Sequence, residues 1–317
     1  MQWIKFITRH TAGNPANREI ALSLNLQDAD RNDIRLTAQA AVEKAGYILN
    51  VLDSKGDAAL QLYQVISARK RGTRAMMIIL EDPDDADAIL QETGNMKVVF
   101  LAVAPADLSL LNKNAVFIGP DDVLTGKLQG QFLASYYRNK GQSEINYILM
   151  QALPEAATTR MESVLQTLSD QEILATQAAA IRMKAPTREK AKLEIMDLLK
   201  SDVNFDAMIS NHDAIALGAI DAMEFLNVDL KQVTIVSVNI TPPTREAIRE
   251  NKLLMTVFQN PRAQVLASIT AIFNMFEGKP WNENIEYRMS NTSAYEIRIP
   301  PDIVTKTLVP ENFYFTV

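Results

Sequence analysis

The sequence predicts an α/β protein of two Rossmann-like, doubly wound lobes, each built on a parallel sheet and joined by multiple hinge crossings. Three observations predict it. Short apolar runs rich in Val, Ile and Leu alternate with helix-period segments over most of the 317 residues, the order left by repeated βα units. The runs show little polar alternation, as expected of strands covered on both faces. The units recur about every 25–30 residues, as in a doubly wound sheet. They run once to about Pro120, restart at Asp121 and send their last elements back after Gln259.

Strands are expected at Ile20–Asn25, Tyr47–Asp53, Ala75–Glu81, Val98–Ala104 and Ala115–Ile118, then at Asn146–Gln151, Ile173–Gln177, Phe205–Ser210, Thr234–Asn239 and Leu254–Gln259. Helices are expected at Asn32–Ala45, Ala58–Lys70, Ala86–Glu92, Val123–Asn139, Ala157–Leu168, Thr187–Lys200, Ala214–Leu226, Pro243–Glu250 and Ala263–Phe276. Gly46 stands where a helix C-cap belongs, and Asp53-Ser54-Lys55-Gly56 is a turn cluster closing a strand. Asp84 and Asp85 read as N-cap and first-turn acids of the helix at Ala86. The run Glu81–Asp87 that holds them lacks the glycine and glutamate a calcium loop needs. Gly126 and Gly130 read as small residues that let their helix pack closely on the sheet. Tyr136–Lys140 is a helix terminus with cations suited to the macrodipole, and Thr187–Lys192 is a solvated helical face. From Trp281 to Val317 one or two edge strands and a wrapping terminus are expected, and Ile4–Thr8 reads either as an extra strand or as a disordered lead. The lobes are then 1–120 with 260–285, and 121–259 with 286–317. No Pro-, Gly- or Ser-rich linker interrupts the chain.

Composition narrows the function. The chain has no cysteine, which excludes disulfides, thiolate metal sites, iron–sulfur clusters and a cysteine nucleophile. Its 11 glycines form neither GxGxxG nor GxxxxGK[ST], so the usual dinucleotide and nucleotide cradles are missing. With 32 basic against 38 acidic residues, a net charge of −6 has the wrong sign for general attraction to nucleic acid or anionic lipid. The longest nearly uncharged apolar stretch, Val98–Ala104, is far short of the ~20 residues that span a bilayer, so no membrane insertion is expected. The first residues, Met1–Phe6, do not have the basic and apolar regions of a signal peptide.

The strongest local signal is Ala207–Ala219, where a buried strand ends in Asn211, His212 and Asp213 and passes into a helix with small residues Ala216, Gly218 and Ala219 for close packing on the sheet. Ligands of open α/β sheets bind outside the carboxyl ends of the strands, where these three polar residues stand. Asp213 or His212 also reads as an ordinary N-cap. His212 therefore serves either as a ligand contact or as a satisfied structural group. Of the two histidines, His10 reads as a solvated loop residue, and a pair so far apart makes no zinc site. Ser210, His212 and Asp213 lack GxSxG and stand too close in sequence to form a nucleophile, base and orienter chain. Hydrolase activity is not expected.

The block Asn211–Ala219 resembles the "Asn-Asp…Ala-Leu-Gly-Ala" segment of the type I periplasmic binding proteins, the sugar-binding family that includes ribose-binding protein and the effector domains of lactose-repressor-like regulators. Further blocks follow in the family's order: Ala45–Tyr47 with Val51–Ser54, Arg71-Gly72-Thr73 through Ile79, Asp121–Lys127, Val236–Pro242, and Asn251–Leu253 through Gln259-Asn260-Pro261. The resemblance covers roughly residues 20–280.

The resemblance implies a non-enzymatic, cofactor-free solute-binding protein whose lobes close over one small polar, carbohydrate-like ligand. The implied partners are an ABC permease or a membrane sensor, and the implied location is periplasmic or extracellular. Carried over position by position, it implies ligand contacts from Asp28, Asp30 and Arg31 at the first strand exit. Thr158 and Arg160 are implied near the start of the second lobe's first helix, with Asn211, His212 and Asp213, Asn239 on the hinge side, and Gln259. The fourth strand exit, where the family carries an Asp-Arg pair, holds Ala102 and Val103 here, and no aromatic occupies Gln27–Arg31. An amine-bearing, cationic or metal-complexed ligand through Asp28, Asp30 and His212, or an anionic one through Arg31 and Arg160, stays open beside a sugar. Two other settings share the fold: the extracellular sensor domain of a membrane receptor, and the cytoplasmic effector domain of a regulator, for which residues 1–19 are too short to hold a helix-turn-helix.

Overall fold

The computed structural model describes residues 18–309 apart from 29–30, 154–155, 185, 202 and 291–292, with backbone alone at 153 and 156–158. Trp3, His10, the lead at Ile4–Thr8 and the end of the tail with Phe313 lie outside the described residues. The chain divides into two compact units, with crossings at 120/121, 259/260 and 299/300.

The first unit opens with β1 (Glu19–Leu24), α1 (Arg31–Lys44), β2 (Ile48–Asp53), α2 (Ala58–Arg71), β3 (Ala75–Ile78), α3 (Ala86–Thr93), β4 (Lys97–Leu101) and β5 (Ala115–Pro120). Its strands lie parallel in the order β2-β1-β3-β4-β5. The order reverses between β1 and β3, which places a switch point outside their carboxyl ends. One face buries Met77, Val99 and Ile118 under Ile34, Ala38 and Val42 of α1. The other buries Met76, Val98 and Phe100 with Val65 and Ala68 of α2 and Ile89 of α3. This two-sided cover is why the strands read as unbroken apolar runs. Asp57 caps α2 by accepting from Leu60 N at 3.0 Å, and Gly72, at φ +84°, ends it in the left-handed region. The acidic run differs from expectation. Asp82 is the capping residue, accepting from Asp84 N at 3.0 Å over a 3₁₀ turn at Pro83–Asp85, whereas Asp85 makes no side-chain cap bond to α3.

The second unit repeats the winding with α4 (Asp122–Asn139), β6 (Glu144–Leu153), α5 (Ala156–Asp170), β7 (Leu174–Lys184), α6 (Arg188–Leu199), β8 (Ala207–Ser210), α7 (Asp213–Phe225), β9 (Thr234–Val238), α8 (Pro242–Arg249) and β10 (Met255–Phe258). Its parallel order is β7-β6-β8-β9-β10, with the switch between β6 and β8. β7 extends well past Gln177. Ala178–Ala180 have little strand propensity of their own, but Ala179 and Ala180 pair with β6 beyond an irregularity in the register at Tyr147/Ile148.

The small residues also act differently from expectation. A Cβ added at Gly126 would lie 2.1 Å from the Arg160 carbonyl oxygen, and one at Gly130 would lie 2.7 Å from Thr167 Cβ. The GxxxG of α4 therefore packs helix on helix, against α5. Gly218 of α7 likewise meets Arg188 and Ala191 of α6. Pairing glycines with a neighbouring backbone lets two helices approach more closely than side chains would allow.

After β10 the chain returns to the first unit as α9 (Pro261–Phe276), which packs on α1 and sends Val265, Ile272 and Met275 into the core. β11 (Glu296–Ile299) then lies parallel beside β5, and β12 (Asp302–Thr305) antiparallel beside β10 in the second unit. The third crossing thus falls at 299/300, not the expected 285/286. The cause is packing: Trp281, Ile297 and Ile299 are buried and join the first unit's core, with Tyr287 and Tyr295 against it. Among the described residues no helix is long and apolar enough to cross a membrane.

Candidate functional site

The strand exits of each unit hold that unit's candidate site residues. In the first unit, Asp28 follows β1, and its carboxylate lies 3.1 Å from Arg31 Nε at the start of α1, both side chains about one quarter exposed. Asp30 lies outside the described residues. At the β2 exit Asp53 Oδ1 accepts from Leu26 N and Lys55 N, each at 3.0 Å, which holds the β1 and β2 loops together. Glu81, just past β3, accepts from Ser54 Oγ. Burial pushes the Glu81 carboxyl above the usual carboxylate range; the Ser54 hydrogen bond and the Arg31 charge oppose the rise, and Asp28 and Asp53 add to it.

Glu81 is a candidate that the sequence reading did not include, although its signal was present: the first carboxylate after the apolar run Met76–Leu80, at the sheet's switch point. Buried Gln61 on α2 braces this exit, donating to Ser23 Oγ at 3.0 Å and to the Ile79 carbonyl at 2.9 Å, and accepting from Glu81 N at 3.1 Å. At the β4 exit Ala102 adopts φ +63°. Val103 N donates to the Leu101 carbonyl at 2.7 Å, which closes a γ-turn of the rare, strained positive-φ kind.

In the second unit, Arg160 of α5 points its guanidinium into its own lobe. Nε donates to Asp122 Oδ1 at 2.7 Å and Nη1 to the Asn211 carbonyl at 3.2 Å. Gln259 Nε2 joins the same cluster, donating to Asp122 Oδ1 at 3.1 Å and to Thr125 Oγ1 at 3.0 Å. Asn211 is buried and paired with Ala152 through both ends of its amide: Oδ1 accepts from Ala152 N at 2.7 Å and Nδ2 donates to Ala152 O at 3.1 Å. Arg160, Asn211 and Gln259 thus come together, with Asp122 at their centre. The Thr158 side chain lies outside the described residues.

His212 is the N-cap of α7, its Nδ1 accepting from Ala214 N at 3.2 Å. This bond fits the tautomer in which the ring proton is carried on Nε2. Asp213 is 2% exposed, and its Oδ2 accepts from Thr241 Oγ1 at 2.6 Å, Thr244 Oγ1 at 2.8 Å and Thr241 N at 3.3 Å. Its carboxylate therefore ties α7 to the start of α8. Asn239, at the β9 exit, adopts φ +76°, with its N–H donating to Val257 O at 2.8 Å. Gln129 of α4 escaped notice in the sequence: fully buried, it donates from Nε2 to the Ser210 and Ser237 carbonyls, both at 3.0 Å, and so clamps the ends of β8 and β9. Among the described residues no group of three or more His, Asp or Glu side chains is placed to hold a metal ion.

Chemically, both sets of exits offer hydrogen-bond donors and acceptors on braced backbones. Comparison with known proteins agrees. The family model described as "Periplasmic binding protein domain" matches residues 20–280. The ribose import binding protein of Salmonella typhimurium is 28% identical over 229 residues, covering 71% of this chain and 73% of that protein. A putative rhizopine-binding protein of Rhizobium meliloti is 24% identical over 271 residues, covering 84% and 82%. Among solved structures, an ABC transporter solute binding protein from Bacillus halodurans with bound myo-inositol superposes with a TM-score of 0.79 at 22% identity, covering 93% of this chain and 97% of that one. That likeness establishes the fold.

Proposed function

The chain belongs to the periplasmic binding protein domain family, and from that premise we propose that it is a non-enzymatic solute-binding protein. Its lobes close over one small polar, sugar-like ligand outside the inner membrane and present it to an ABC permease. The observation that carries this reading is a single family match spanning both units, residues 20–280. Relatives named for ribose import and for binding myo-inositol support a compact polyol as the ligand. Ligand contacts that reach both lobes stabilise the closed form, so the difference in affinity between open and closed forms drives the switch.

His212 is the residue most directly committed to the ligand, because its ring is held by the helix it caps. Asp28, Arg31 and Asn239 supply further contacts. Asp122, Arg160, Asn211, Asp213 and Gln129 brace the backbone behind them. A thermal-shift screen over pentoses, hexoses, inositols and amino-polyols tests this. A true ligand at 100 times its Kd adds about 2.7 kcal/mol of stability. His212→Ala is expected to weaken that ligand by about tenfold, while His212→Asn keeps a capping side chain and the apo melting temperature. A screen in which no polar small molecule shifts the melting temperature overturns the proposal, as does turnover of any bound compound.

A further inference from the structure

One cavity of the first unit lies away from the strand exits. It occupies about 760 Å³ in the first unit and is lined by Arg69, Arg74, Lys97, Met96, Met275 and Phe276 among others. Arg74 immediately precedes β3 and Lys97 begins β4, so the cavity stands at the amino end of the sheet, opposite the switch point. We propose that it is a second binding site, for an organic anion that joins a phosphate or carboxylate to an apolar body.

The electrostatics run against the rest of the chain. The whole sequence carries −6, yet three cations line this cavity and no carboxylate does. Arg69 is matched by Glu92 at 3.4 Å from outside the lining. Lys97 donates to the neutral Asn114 Oδ1 at 2.6 Å. Arg74 stacks its guanidinium 4.0 Å from the centre of the Phe276 ring and has no carboxylate partner among the described residues. Two positive charges are thus left for an incoming anion. Helix macrodipoles explain part of this placement, since Arg69 lies in the last turn of α2. They do not account for a guanidinium held over an aromatic ring, whose N–H donors can still meet an oxyanion.

The floor is apolar and adaptable. Met96 and Met275 are nearly buried, and methionine side chains mould to irregular ligands. Phe276 adds a ring already polarised by Arg74. The volume lies within the range of small-molecule sites, which combine an apolar lining with a few placed charges. A bare inorganic anion would leave the sulfur and aromatic surface unused, and a neutral apolar compound would leave the two charges unmatched.

Methyl NMR of protein labelled at the methionine methyls reads both halves of the site, because Met96 and Met275 report from its floor. With phenyl phosphate as the probe, both methyls are expected to shift saturably, each assigned by its Met→Leu variant. Inorganic phosphate and phenol are expected to titrate at least about tenfold more weakly, each lacking one half of the recognition. Arg74→Gln should weaken phenyl phosphate by about tenfold, and Lys97→Gln should do the same by removing the other charge. Dispersion of the remaining methyl signals shows whether either variant has folded. The proposal is overturned if neither methyl saturates, if phenol titrates as well as phenyl phosphate, or if a folded Arg74→Gln or Lys97→Gln binds the probe unchanged.

Discussion

The two units wind their sheets in the same order, β2-β1-β3-β4-β5 and β7-β6-β8-β9-β10, but they finish their strand exits differently. In the second unit the exits are tied inward. Asp122 joins Arg160 and Gln259, Asn211 doubles onto Ala152, and Asp213 holds Thr241 and Thr244. In the first unit the corresponding polar residues pair near the surface, as Asp28 does with Arg31, or strain the backbone, as Ala102 does. Each sheet also has one buried glutamine as a clamp, Gln61 on β1 and β3 and Gln129 on β8 and β9. The second unit's exits are accordingly braced by buried partners, and those of the first unit rest more on pairs near the surface.

The largest test of this contrast compares two ion pairs. Asp122→Ala leaves the Arg160 guanidinium, 16% exposed, without its carboxylate, which should cost about 3 kcal/mol. Asp28→Ala breaks the more exposed Asp28–Arg31 pair and should cost under about 1 kcal/mol. Urea denaturation of both variants measures the difference. Equal losses would mean that the second unit's network is no stiffer than a surface pair.

The same contrast governs what could be read from the sequence. Ten strands and nine helices were legible because each is a local pattern, an apolar run or a helical period closed by a cap or a glycine. The second half of β7 was not, since Ala179 and Ala180 become strand only by pairing with β6, past the register irregularity at Ala178. The site followed the same division. The positions of His212 and Asn239 at strand exits were legible because a strand exit is visible in one sequence. The attachment of Arg160 to Asp122 was not legible, since it depends on two helices meeting at Gly126, a contact that no local pattern announces. Glu81 and Gln129 were missed for that reason too: each gains its role from a partner on another element, Ser54 for one and the ends of two strands for the other.

A smaller effect is expected at the fourth strand exits, which correspond between the units. Ala102 and Asn239 both hold positive φ, and both donate their N–H to the neighbouring fifth strand, at Ile118 and Val257. Asparagine tolerates this conformation and alanine does not. Ala102→Gly should therefore stabilise the protein by about 0.5–1 kcal/mol, the left-handed penalty less the added chain entropy of glycine. Asn239→Ala should destabilise it by about 1 kcal/mol. Opposite signs in thermal melts of the two variants would sustain the correspondence, and matching signs would break it.

The smallest effect distinguishes the first unit by its pH dependence. The Glu81 carboxyl sits above its ordinary value of 4.5 because burial disfavours its charge. A raised carboxyl means that the folded state holds the proton more tightly than the unfolded chain. Its contribution is thus a cost, complete above the folded value, that shrinks as pH falls through that value and vanishes below 4.5. Glu81→Gln keeps an oxygen to accept from Ser54 and removes the charge. It should raise stability at pH 7 by less than about 1 kcal/mol, given the partial exposure of the group, and the gain over the parent should disappear by pH 4. Denaturation of both proteins across that range is the measurement. A gain that persists at pH 4 would show that it does not come from the charge, and a loss at pH 7 would show that the Glu81 charge is satisfied by Arg31 and Ser54, the first unit's exits then being as well braced as those of the second.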